Sequence, residues 1–322
     1  MIKRLARLLA LTVVLCAPGG AWAGQYPDKP IHIVVPYPPG GFNDTLGRLV
    51  GAKLSAAWGQ PVIVENRPGA GTIVGTSTVA KAPADGYTLL VAQFPFASNP
   101  SVYRSLPYDT GKDFAPIVLA GQSPMLLTVR KDSSIKTVRD LVQAAKKSPA
   151  AINYGSSGTG SSNHLAMALF ERMAGIHMVQ IPYKGSSPMM TDLAGGQVEA
   201  AFDAIANCWA FVQSGKVRPI AVADTRRTPL LPDLPTVSEA GVPGYDVSSW
   251  HGFVAPAGTP PEILDKLNTQ INAILRMDDV RETFKAQGVV PAGGSRADFS
   301  RFIGQQMTKW RQVVAEAGIP PQ

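Results

Sequence analysis

The sequence predicts an α/β protein built as two lobes with a cleft between them. Three observations carry this. Short β-branched strands alternate with amphipathic helices, the alternation comes in two successive blocks, and each block holds a Gly-rich loop joining a strand to a helix. Each block is long enough for its own core.

The N-terminus reads as a leader. Lys3, Arg4 and Arg7 precede a short apolar run, Leu8 to Leu15, and Ala21-Trp22-Ala23 offers small residues for cleavage after Ala23. The run is too short to span a bilayer, which needs roughly 20 apolar residues. Residues 1–23 are therefore expected to be removed on export, leaving about 299 residues. No later stretch is long and apolar enough to insert in a membrane. The full chain carries a net charge of +7, and loss of the three leader cations leaves +4. This excess is scattered, so a nucleic-acid footprint is not expected. Cys208 is the only cysteine after the leader, which excludes an internal disulfide, and it reads as a small buried apolar side chain. No metal-ligand spacing occurs, and neither metal nor cofactor is expected.

Ile31 to Val35 is a buried strand by pattern, ending in Pro36-Tyr37-Pro38-Pro39-Gly40-Gly41. Asn43 and Asp44 are candidate N-caps for a helix carrying Leu46, Leu49, Val50 and Leu54 and stopped by Gly59. Val62 to Val64 is a strand before a second Gly-rich turn, Asn66 to Gly71, and an Ala/Val helix to about Ala82. Tyr87 to Ala92 is a strand, placing Phe94 and Phe96 in a following loop.

The second block opens with a strand at Met125 to Val129 and a helix at Thr137 to Lys147. A short strand at Ile152 to Tyr154 feeds Gly155-Ser156-Ser157-Gly158-Thr159-Gly160-Ser161. A helix with Leu165, Leu169 and Phe170 follows, ended by Gly175. Val179 to Ile181, Ala200 to Phe202 and Ile220 to Ala223 are further strands. In the tail, Thr259-Pro260-Pro261-Glu262 predicts a capped helix start, and Ser295 with Asp298 opens a last helix. The chain thus reads as residues 24–123 in lobe A, 124–248 in lobe B, and 249–322 returning to lobe A. Crossings are expected at Ile117 to Ser123 and Val247 to Val254, about which the lobes would hinge.

The chemistry concentrates in the two Gly-rich loops. A helix start presents unpaired N–H groups and a positive dipole end, and glycine lets an anion approach the backbone. If residues 40–44 and 156–161 face each other, one small anion is gripped from both sides; the alternative is two ordinary βα turns. Ser156, Ser157, Thr159 and Ser161 add hydroxyl donors. The second loop matches neither a P-loop nor a nucleophile elbow. His164 lies close to Ser161, so an exported serine hydrolase is the competing reading. Asp203, at the end of an apolar strand, either faces the cleft or caps the next helix. Phe94, Phe96, Trp209 and Trp250 are candidates to line a cleft or fill a core.

Several runs resemble a known family. They are Tyr26-Pro-Asp-Lys-Pro-Ile, Pro36-Tyr-Pro-Pro-Gly-Gly with Asp44, Glu65-Asn-Arg-Pro-Gly-Ala-Gly, Asp85-Gly-Tyr-Thr-Leu-Leu, Asn153-Tyr-Gly-Ser-Ser-Gly-Thr-Gly-Ser, Pro182-Tyr-Lys-Gly and Gly195-Gly-Gln-Val. In this order they are similar to the Bug receptors, the solute-binding proteins of tripartite tricarboxylate transporters. The resemblance implies a periplasmic binding protein fold, a periplasmic location, and delivery of a small organic carboxylate to a two-component membrane permease. A module feeding a sensor protein is the alternative partner, and a monomer is expected. It further implies that Gly40, Gly41, Asp44, Ser156, Ser157, Thr159, Gly160 and Ser161 hold a ligand carboxylate. Phe42-Asn43 and Phe94-Pro95-Phe96 depart from the family pattern. The candidate ligand set is completed by Phe42, Asn43, Phe94, His164, Tyr183 and Asp203.

Overall fold

The computed structural model describes residues 26–322, so the leader lies outside the described residues. Ile31–Val35 (β1) is followed by Phe42–Trp58 (α1), Val62–Asn66 (β2), Ile73–Ala80 (α2), Thr88–Gln93 (β3) and Phe94–Val102 (α3). β1 lies between β2 and β3, parallel to both. Parallel neighbours require crossovers, which α1 and α2 supply. α1 turns Leu46, Val50 and Leu54 onto the sheet and ends at Gly59, whose positive φ of 67° forms a left-handed cap. Gly47 lets this helix sit close, since a β-carbon there would stand 2.9 Å from Val35.

Phe114–Arg130 (β4) then runs for 17 residues, followed by Val138–Lys147 (α4), Asn153–Ser156 (β5), Ser162–Ala174 (α5), Val179–Pro182 (β6), Ser186–Ala194 (α6), Ala200–Ala204 (β7), Ile205–Gln213 (α7) and Val217–Val222 (β8). The chain returns through Ser248–Pro256 (β9), Pro261–Leu275 (α8), Asp278–Ala286 (α9), Val290–Pro291 (β10) and Arg296–Glu316 (α10).

The strand order is β2-β1-β3-β9-β4-β7-β5-β6, with β8 and β10 also paired to β4. From Phe114 to Pro124, β4 runs antiparallel to β9. From Met125 onward it pairs with β7 and β8 instead. One continuous strand therefore belongs to both halves, and β9 lies beside it as the return. Each half has apolar clusters of its own. Leu46, Val50, Leu267, Ile271 and Phe284 fill one face of the first half, and Val34, Leu90, Trp250 and Phe299 the other. Leu165, Leu169, Phe170 and Phe202 fill one face of the second half, and Leu126, Met189, Leu193 and Cys208 the other.

α10 departs from a simple return to the first half. Phe299 and Ile303 pack with Trp250 and Val254 of the first half. Trp310, Val313 and Val314, further along the same helix, pack with Phe94, Leu165 and Leu169 of the second-half cluster. One helix thus bridges both cores.

Local readings also need correcting. α1 starts at Phe42 with Gly41 as its N-cap, so Asn43 and Asp44 lie inside the first turn. Pro260 takes the cap of α8, and the Thr259 hydroxyl donates to the Pro256 carbonyl instead. Phe94 and Phe96 begin a helix and are buried, where a loop was expected. Pro95 falls in that helix's first turn, where its missing N–H would be unpaired anyway.

Candidate functional site

The two Gly-rich loops follow the carboxyl ends of parallel strands, β1 in one half and β5 in the other. That is where open α/β sheets place their ligand crevice. In the first loop Gly40, at φ +97°, and Gly41 are exposed, and a β-carbon at either would meet nothing within 4 Å. The Asp44 carboxylate folds back over this loop. It accepts from the Gly40 N–H at 3.1 Å and the Asn66 side chain at 3.0 Å, and pairs with Arg48 at 2.9 Å. Burial alone would push its pKa up, but the bonds from Arg48, Gly40 and Asn66 outweigh it and hold the group below the usual range. Asp44 therefore braces the loop.

Phe42 and Asn43 point the other way, onto the first-half core and the crossing strand β9. The Phe42 ring meets His251 edge-on at 4.6 Å and Phe284 at 5.1 Å. His251 Nδ1 donates to Asn43 Oδ1 at 2.8 Å. His251 is buried on the crossing strand β9, and burial holds its pKa down to about 3, leaving the ring neutral. Beside it Tyr37 donates to Gln93, and Gln93 Nε2 donates to the Ser249 hydroxyl at 3.1 Å. The two family departures in the first loop thus pack against the crossing.

The second loop is a web of its own donors and acceptors. Ser161 caps α5, accepting from the His164 N–H at 3.3 Å and donating to the Gly158 carbonyl at 2.6 Å. The Ser156 hydroxyl accepts from Gln180 at 2.7 Å and Gly158 at 3.4 Å. Ser157 donates to Asn163. Gly160, at φ +77°, lies so close to α3 that a β-carbon would overlap Val102 Cγ1. Thr159 is exposed, and its carbonyl accepts from Gln322 at 3.0 Å. Among the described residues, no lysine or arginine bonds to the Ser and Asn side chains of this web.

A Ser–His pair does not form. The Gly160 N–H donates to His164 Nδ1 at 3.0 Å, and burial holds the His164 pKa down to about 4. Both the ring and the Ser161 hydroxyl are occupied in shaping the loop, so neither is arranged as base or nucleophile.

Asp203 is 1% exposed near the end of β7. Its Oδ1 accepts from Ala204 N–H at 2.9 Å, Asn163 at 3.0 Å, and Ser186 and Asn207 at 3.1 Å. Its Oδ2 has no partner among the described residues. Burial pushes its pKa up to about 6 against the pull of those hydrogen bonds. Tyr183 is half-buried against the Leu126 cluster, where burial, then Asp192, raise its phenol to about 12. Phe94 is not brought to either loop. It is fully buried with its ring 4.6 Å from Trp310, at the start of a helix where a loop was expected. Trp250 is likewise core, against Phe299 and Phe302.

Sequence reading missed Asn163, Gln180, Asn66, Ser186 and His251. Asn163, next to His164 and two residues into a helix, carried a local signal. The others reach the loops from distant strands and helices, which a linear pattern does not reveal.

Two lobes, two crossing strands, and strand–loop–helix units at the strand ends define a two-lobed solute-binding protein of the periplasmic binding protein fold. Residues 46–319 match the model of the TctC family, described as the tripartite tricarboxylate transporter family receptor. Protein BugT of Bordetella pertussis is 35% identical over 320 residues, covering 98% of each chain. The solved structure described as R. palustris Rpa4515 with adipate is 39% identical with a TM-score of 0.83, covering 92% of this chain and 100% of that one. MatC from Rhodopseudomonas palustris with bound malate is 31% identical with a TM-score of 0.79, covering 90% of this chain and 100% of that one. The chain belongs to the tripartite tricarboxylate transporter receptor family. It is a receptor and not an enzyme.

Proposed function

We propose that this protein works in the periplasm, captures a small organic carboxylate between its lobes, and delivers it to a two-component membrane permease. The observation that carries this reading is the second loop. Hydroxyls, backbone N–H groups and the start of α5 converge there without a cation, which suits a carboxylate held by neutral donors. The bound adipate and malate of the two relatives support the same ligand class. No helix among the described residues is long and apolar enough to cross a membrane, in keeping with a receptor that works beside a permease.

In this reading Gly40, Gly41, Ser156, Ser157, Thr159, Gly160 and Ser161 meet the carboxylate, the loop hydroxyls and the Gly160 N–H exchanging bonds they make within the loop for bonds to the ligand, with Asp44 and His164 holding the loops in shape. Residues 24–123 and 249–322 are taken as one lobe and 124–248 as the other, with β4 and β9 as the hinge and the far end of α10 reaching across to the second lobe's core. A thermal-shift screen of dicarboxylates, tricarboxylates, acidic amino acids and aromatic acids tests it, because a ligand that binds only the folded state raises apparent stability by mass action. At least one carboxylate should raise the melting temperature. A panel in which only uncharged solutes do so rejects the carboxylate reading.

A further inference from the structure

Asp203 is the point where the second half gathers its helix starts. Ala204 is the N-cap of α7 and Asn207 lies in that helix's first turn. Ser186 is the first residue of α6, and Asn163 the second of α5. All four donate to one atom, Asp203 Oδ1. Asn163 also accepts from Ser157, so the path continues into the Gly-rich loop. Three helices that meet nowhere in sequence are thus tied at their amino ends to one oxygen.

We propose that Asp203 is the positioning residue of this binding site. Its Oδ1 fixes the starts of α5, α6 and α7 as one donor array and, through Asn163, sets the loop at 156–161 that meets the carboxylate. The proposal rests on the reading of that loop as the ligand cradle. The chemistry at Asp203 is asymmetric. Oδ1 accepts four hydrogen bonds while the buried Oδ2 accepts none. Only the acceptor capacity of Oδ1 is needed, and an amide supplies it equally well. The elevated pKa fits a group whose second oxygen is left unsolvated.

The test compares Asp203→Ala and Asp203→Asn with the unsubstituted protein, with Ser186→Ala as a milder, half-exposed cut. Hydrogen exchange without ligand reads the array directly. Asp203→Ala should speed exchange at least tenfold at 157–166, 186–190 and 205–209 together, while β1 to β3 stay protected. Asp203→Asn should keep the unsubstituted pattern. Ser186→Ala should loosen 186–190 alone. With malate and adipate as probes, Asp203→Ala should weaken any binding at least tenfold and Asp203→Asn by less than threefold. Exchange that rises uniformly across the molecule, or not at all, overturns the proposal. So does an Asn variant as impaired as the Ala variant, because the charge would then be what matters. If no carboxylate binds the unsubstituted protein, the receptor reading fails while the exchange pattern still decides the role of Asp203.

Discussion

His164 shows how a single buried ring shapes both a loop and its response to pH. Its Nδ1 accepts the Gly160 N–H, and burial keeps the imidazole neutral in the folded protein down to about pH 4, against an ordinary value of 6.5. The unfolded chain takes up a proton as pH falls below 6.5, and the folded ring does not until about 4. Stability is therefore full above 6.5 and falls by about 3 kcal/mol between 6.5 and 4. His251 acts with the same sign. Asp203 runs the other way. Its folded value near 6 exceeds the ordinary 3.8, so it lowers stability as pH rises between those values. The unfolding free energy of His164→Gln from urea titration should be about 1 kcal/mol lower at pH 7.5, yet fall less steeply from pH 6.5 to 4.5. A slope equal to that of the unsubstituted protein would reject the neutral buried ring. In the sequence, His164 was legible as a neighbour of Ser161. Its bond to Gly160 was not, because that depends on Gly158 and Gly160 folding the loop back at positive φ.

At the scale of elements, most strands and helices were readable because their apolar periods are clean. α1, α4 and α5 end or begin where Gly59, the Thr137–Asp140 capping box and Gly175 direct. Several elements escaped, the helices α6 and α9 and the short strand β10 among them, and two show why. α3 was hidden by Pro95 and Pro100, which read as loop markers although the first sits in the opening turn. β4 was seen only from Met125, because Pro124 looks like a break. It is tolerated there because its pairing with β9 ends at Pro124 and pairing with β7 begins at Met125. The departure at Phe94 follows from α3. A ring expected near the ligand fills the core against Trp310 instead. Phe94→Leu should therefore lower the urea stability by about 1–2 kcal/mol while carboxylate affinity, by calorimetry at 15 °C, stays within twofold. A tenfold loss of affinity without a stability change would return Phe94 to the site.

For the whole molecule, the bridging helix matters most. The same apolar spacing runs along all of α10, so nothing in the sequence told that its two ends serve different cores. Gly304 lies between those ends, exposed, with no atom within 4 Å of a β-carbon placed there. A helix-interior glycine with open space around it weakens the helix by about 1 kcal/mol relative to alanine. Gly304→Ala should raise the urea stability by about 0.5–1 kcal/mol. If α10 bends there as the lobes hinge, the variant should also bind carboxylate more slowly in stopped-flow fluorescence. An unchanged rate would mean the helix moves as one rod.

The same bridge sets an order of assembly. Trp310, Val313 and Val314 are made more than sixty residues after Val247, the last preceding member of the cluster they complete. Until they emerge, the cluster that holds Leu165 and Leu169 stays incomplete. β4 likewise lacks its partner β9 in the first half until residue 256 has been made. The Leu126 cluster is complete by Val222, but the other face of the second half and the sheet of the first half both wait for the chain's return, although domains commonly fold in turn during synthesis. Such a delay leaves the polypeptide in an extended, threadable form until its last helix is available.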